Sequence, residues 1–164
     1  MKENRRKGFT LIELLAVIIV LALILVFAIP AVLNTSEKAQ KKSFATYGRR
    51  VLTLAEEYIE AKKLDGAVGQ MAIQNGVDGF SLGSNDAEYK VGIDYDGNGG
   101  YKIYMYNNTY YIGTVENVTT TSGATEAELK TTDNVHELNG GTLTLSIANV
   151  NEATTCTATY TPAR

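Results

Sequence analysis

The sequence predicts an α+β fold: a long N-terminal α-helix, apolar in its first half and amphipathic in its second, packed on a C-terminal antiparallel β-sheet head. Three observations carry that expectation. Leu14 to Leu33 is a run of 20 apolar residues without a charge. Phe44, Tyr47, Val51, Leu54, Tyr58 and Ala61 recur at spacings of 3 and 4 residues. EYKVGIDYD, YKIYMY and TYYIGTV are short segments rich in Tyr, Ile and Val, separated by DGNGG and NN. The first has membrane length, the second is one face of a helix, and the third is hairpin chemistry.

A helix that crosses the bilayer core needs roughly 20 residues. Leu, Ile, Val and Phe supply 15 of the residues in the run, and at about −0.3 to −0.6 kcal/mol each they favour insertion by about 4.5 to 9 kcal/mol. Glu13 stands immediately before the run. An acid at the bilayer centre costs about 2.5 to 3.5 kcal/mol and one near the edge costs less, so insertion wins. Lys2, Arg5, Arg6 and Lys7 outweigh Glu3 in the flank, which keeps the N-terminus cytoplasmic and sends the rest of the chain outward. A cleaved secretory signal fits poorly, because its apolar core is about 7 to 15 residues and ends in a small-x-small site. The segment FAIPAVLN offers no such site. A plain uncleaved anchor accounts for the run but not for Glu13.

The segment KGFTLIEL, Lys7 to Leu14, behind a short basic leader and ahead of the apolar run, resembles the class III leader of type IV pilins and the related pseudopilins. The resemblance implies cleavage between Gly8 and Phe9 by a membrane-embedded prepilin peptidase, N-methylation of Phe9, and a mature chain of 156 residues that keeps its hydrophobic segment. It divides the chain into a leader (1–8), a transmembrane and assembly helix (9–33), an amphipathic helix (34–65) and a globular head (66–164). Pro30 matches a proline partway down the segment in that family. Glu13 lies one helical turn from Phe9. In a bundle of such helices it is expected to pair with the amine of a neighbouring subunit, compensating two charges in an apolar core and setting register more than adding stability. The implied partners are further copies of the chain, the prepilin peptidase, the pilus assembly machinery and, before assembly, the membrane. The expected role is that of a structural subunit, a major pilin of an extracellular filament. A pseudopilin of a type II secretion or competence machine shares the leader, and an uncleaved membrane-tethered binding domain is the third reading.

Beyond Pro30 the helical pattern resumes at once, so one helix is expected from Phe9 to Lys63, about 80 Å long at 1.5 Å per residue. Pro30 removes one backbone hydrogen bond and is expected to bend or loosen it locally. Asp65-Gly66 ends it. The three Tyr-rich strands follow, then TLTLSIA and ATTCTATYT joined by the turn NVNE. Residues 66–86 read as a Gly-rich loop with a short helix near QMAIQ, and residues 116–141 as a Thr-rich insertion with another at TEAEL.

Removing the leader leaves 11 basic and 17 acidic residues, a net charge of −6. That balance gives no strong nucleic-acid signal, and Lys41, Lys42, Arg49 and Arg50 read as a solvated helix face. One cysteine, Cys156, excludes an internal disulfide and reads as a small buried strand residue. Many Gram-negative pilins close their C-terminal region with a disulfide, so its absence points to a Gram-positive source. The one histidine, His136, reads as a surface residue and supports neither a His-based metal cluster nor a catalytic triad, so no enzyme is expected. The metal-like stretch is DYDGNGG, where Asp94, Asp96 and Asn98 match the first half of a calcium loop. The twelfth position is Met105 instead of Glu, so the first reading is a plain hairpin, with no cofactor, and calcium is the second. Six tyrosines from Tyr95 to Tyr111 read either as one half-buried sheet face or as an adhesive aromatic patch. Asn107 and Asn117 begin glycosylation sequons.

Overall fold

The computed structural model describes residues 9–66, 68–77, 79–83, 88–115, 120–150 and 153–163. The predicted leader with Gly8, the loop residue Asp86 and the sequon Asn117 lie outside them. The chain divides into two compact units, Met1–Ala39 and Gln40–Arg164.

Helix α1 runs without interruption from Leu11 to Asp65, through Pro30, and stops at the expected Asp65-Gly66. Every residue from Leu11 to Gln40 is exposed, and none of its most apolar 18-residue window is buried. Length and composition suffice for a membrane span. An apolar surface of this extent needs lipid or protein around it, since soluble monomers rarely expose more than a few hundred Å² in one patch.

In the second unit α1 buries Phe44, Ala45, Gly48, Val51, Leu52, Ala55 and Ile59. That face is rotated from the expected stripe: Tyr47, Leu54 and Tyr58 sit at its margin and Ala61 is exposed. Small residues explain the rotation. A Cβ on Gly48 would stand 2.8 Å from Ile112 Cδ1, so the helix comes closest to the sheet where glycine and alanine let it. A hydrogen bond from Tyr110 Oη to Gln40 Oε1 (3.0 Å) and an ion pair between Lys41 and Glu137 (3.2 Å) fasten the start of this face.

The head contains two antiparallel sheets where one was expected. The first orders β1 (Met71–Gln74), β2 (Lys90–Tyr95), β3 (Tyr101–Tyr106), β4 (Tyr110–Ile112) and β7 (Val135–Glu137) as β1-β2-β3-β4-β7. The second orders β5 (Thr114–Val115), β6 (Thr120–Ser122), β9 (Ala153–Thr161) and β8 (Thr142–Val150) as β5-β6-β9-β8. The helix expected near QMAIQ is instead strand β1, whose Ile73 pairs with Ile93 and completes the core. The expected strand TYYIGTV is two strands in different sheets, because Gly113, at φ 151°, turns the chain out of the first ladder. Ala124 returns to bond with Ile103. Within TEAEL only a 3-10 turn, Glu128–Lys130, forms.

The first sheet lies between α1 and the second sheet, so its strands alternate between two interiors. Val91, Ile93, Tyr95, Ile103, Met105, Tyr110 and Ile112 face the helix. Tyr104 and Tyr111 face the other way and pack with Leu143, Cys156 and Ala158. The tyrosine crowd is therefore split between two layers, with Tyr95 only 1% and Tyr111 4% exposed and Tyr101 and Tyr106 partly buried at the margins. Gly92 marks the closest approach of the sheets: a Cβ there would lie 2.2 Å from Cys156 Sγ.

Candidate functional site

The N-terminal end of α1 is organised by Thr10 and Glu13. Thr10 precedes the first helical residue, and its Oγ1 accepts the Glu13 N–H at 3.3 Å. Glu13 Oε2 in return accepts the Thr10 N–H and the Thr10 hydroxyl, each at 2.8 Å. This is a reciprocal capping box, which satisfies two of the backbone donors that a helix start leaves without partners. The signal was readable as Thr-x-x-Glu in FTLIE and was not drawn from it. In a bilayer the cap counts for more than in water, because an unsatisfied N–H there costs several kcal/mol. Phe9, 93% exposed, stands just outside the cap. Glu13 thus has an internal partner in the single chain, and its carboxylate stays at the helix surface. Pro30 lies within the exposed apolar stretch, 17 residues further along α1.

Asp94, Asp96 and Asn98 stand at the β2–β3 hairpin, where two carboxylates do different work. Asp94, on the face of β2 that meets the second sheet, accepts the Cys156 N–H and, at 3.3 Å, the Tyr104 hydroxyl. Burial pushes its carboxyl above the usual range, against the pull of those two donors. Asp96 accepts the N–H of Asn98 (2.7 Å) and of Gly100 (2.8 Å) through Oδ1, closing the loop, and these bonds hold its carboxyl low. Gly97 and Gly99 carry the positive φ that the loop demands. Asp94, Asp96, Gln70 and Thr125 share a cleft of about 330 Å³. Asp94 accepts through both of its oxygens and Asp96 through Oδ1. Among the described residues no group of three or more His, Cys, Asp or Glu is placed to hold a metal.

His136 is half-buried on β7, its ring 5.1 Å from that of Tyr111, and burial lowers its pKa. The expectation of a plain surface residue is corrected by that cross-strand pairing. Cys156 is buried as expected, its thiol pushed up to about 12 by burial and by Asp94.

Residues 4–29 match the family described as the prokaryotic N-terminal methylation motif. No curated protein and no solved structure matches the chain. The match spans Arg5, Arg6 and Lys7 of the basic flank, Gly8, Phe9, Glu13 and most of the apolar run, and supports a type IV pilin-like or pseudopilin precursor. Motif and fold point to a structural subunit, not an enzyme. The chain carries the class III signal of type IV pilins, followed by the α+β layout of a pilin: one long apolar helix and an antiparallel sheet packed on its second half.

Proposed function

We propose that the protein is the major structural subunit of an extracellular type IV pilus. The observation that carries this reading is the methylation motif running directly into an exposed apolar helix. The precursor sits in the cytoplasmic membrane by that helix. Prepilin peptidase cuts between Gly8 and Phe9, and the new amine of Phe9 is methylated. Mature helices leave the lipid by packing on one another, which replaces lipid contacts with protein contacts at similar apolarity and leaves charge as the element that sets register. Glu13 then exchanges part of its internal cap for the amine of a neighbouring Phe9. Pro30 marks where α1 loosens during packing, since its ring removes one bond of the ladder.

Shearing intact cells and determining the mass and N-terminus of the released chain tests this. A chain beginning at methylated Phe9 in the sheared fraction is expected. The same chain confined to the envelope would make it a pseudopilin, and an uncut chain in the membrane would make it a simple anchored domain.

A further inference from the structure

Among the described residues the two sheets leave four strand edges, and one differs from the rest. β1, β5 and β7 end their sheets with 4, 2 and 3 residues, lengths that offer a further strand little to pair with. β8 ends the second sheet with 9, TLTLSIANV, in unbroken register with β9 from Thr142↔Thr161 to Val150↔Ala153. It carries no Lys, Arg, Asp, Glu or Pro and no bulge, the devices that usually blunt an edge. Thr142, Thr144 and Ser146 are exposed, whereas on the inner face Leu143 is buried and Leu145 and Ile147 are only half-buried. Thr157 Oγ1 donates to the Ser146 carbonyl at 3.3 Å, so that carbonyl points to β9. By the alternation of an antiparallel ladder, the N–H and C=O groups of Leu145 and Ile147 then point the other way, out of the sheet. Among the described residues no hydrogen bond meets them there.

We infer that the β8 edge pairs with the same edge of a second copy, antiparallel about a twofold axis through Ser146, so that one sheet runs across two heads. Ser146 is the middle of the strand, and only about it do the two edges overlap in full. Each Leu145 then stands opposite the second copy's Ile147, and two half-buried apolar side chains gain a cross-strand partner. The outward N–H and C=O groups of the same two residues become the hydrogen-bonded pairs, while Ser146 meets itself in a non-bonded pair with Cα atoms about 4.5 Å apart. A strand without charge suits self-pairing, because a twofold sets residues against their own kind and equal charges placed opposite one another repel. Copies within one polar filament are related by rotation with translation and never by a twofold, so the contact joins copies of two filaments and associates them side by side. In that form it rests on the assembly reading above, and many such contacts along two filaments add up even where each is weak.

Electron microscopy of sheared filaments tests this. Filaments of the unaltered chain are expected to lie side by side. Ser146→Lys and Ser146→Glu each set two like charges opposite one another, and each is expected to lower side-by-side contact at least tenfold with filament yield unchanged. Mixing the two variants' filaments is expected to restore at least half of it, since lysine then meets glutamate. Unaltered filaments that stay single, either variant associating as before, or a mixture that stays single overturns the inference and leaves the pilin reading standing. A second readout uses no charge. Mild oxidation of Ser146→Cys is expected to give a disulfide-linked dimer and no larger product, because the new thiol meets only its own counterpart, within the Cα separation of about 7 Å that a disulfide needs, and Cys156 is buried. Thr157→Cys is exposed one strand further in, about 14 Å from its counterpart, and is expected to give none. Intact Ser146→Cys filaments without a dimer also overturn the pairing. If the unaltered chain makes no filaments, the pilin reading falls instead, and the same oxidation of Ser146→Cys in membranes decides the pairing by itself, absence of a dimer overturning it.

Discussion

Glu13 holds two roles that different substitutions separate. The capping role needs an acceptor at the end of a three-atom side chain, which Gln also supplies. The pairing role needs the charge. Glu13→Gln is therefore expected to keep the helical content of a 9–33 peptide in detergent micelles while sharply lowering filament yield in cells. Thr10→Ala is expected to weaken the helix start by about 1 kcal/mol, seen as lost amide-exchange protection over Leu11 to Glu13. Equal filament yield from Glu13→Gln and the unaltered chain would reduce the acid to a cap. A second residue-scale contrast lies two positions apart in the head. Asp94 has its pKa raised by burial and Asp96 has it lowered by backbone donors. Carboxyl-carbon NMR is expected to place them on opposite sides of the ordinary value of 3.8. The signs differ for stability too. The contribution of Asp94 is fully present below pH 3.8 and is lost as pH rises through its raised folded pKa. That of Asp96 is present above pH 3.8 and is lost as pH falls through its lowered one. Asp94→Asn is expected to flatten the first of these slopes in a Tm-against-pH series of the head.

Among the elements, the join between the two sheets is the tightest. Gly92 on β2 leaves room for Cys156 on β9, and the neighbouring Asp94 caps the Cys156 N–H. Gly92→Ala forces a methyl into Cys156 Sγ, between two sheets with little freedom to part, and is expected to cost about 1 to 3 kcal/mol. Cys156→Ala in the same chain removes the clash, so a double-mutant cycle is expected to show recovery of much of that loss. Additive losses would mean that the sheets yield elsewhere. At Gly48, by contrast, the nearest atom is the flexible end of Ile112. Gly48→Ala is expected to be close to neutral, because alanine gains about 1 kcal/mol of helix propensity.

For the molecule as a whole, the exposed apolar helix requires detergent or assembly, whereas the Gln40–Arg164 unit contains its own two-layered core. Calcium titration of that unit bears on the hairpin at Asp94, Asp96 and Asn98. Among the described residues no group of three or more His, Cys, Asp or Glu is placed to hold a metal, so no rise in Tm is expected; a rise growing with calcium concentration would assign a cation site there.

Sequence by itself determined the features that depend on neighbours in the chain. Membrane length, the Gly-Phe-Thr-Leu-Ile-Glu signal, the helix stop at Asp65-Gly66 and the hairpins at DGNGG and NN all follow from local chemistry and period. The capping box was equally local. Other features were decided only by tertiary packing. QMAIQ is too short for a period to distinguish helix from strand, and pairing with β2 decided it. Gly113 reads as one more residue of a strand until a second sheet is there to receive Thr114 and Val115. The buried face of α1 was displaced because a sheet approaches where side chains are smallest, and volume at an interface is a property of both partners. The tyrosines likewise split between two interiors because a sheet covered on both faces buries both sets of alternating side chains, which alternation alone does not reveal.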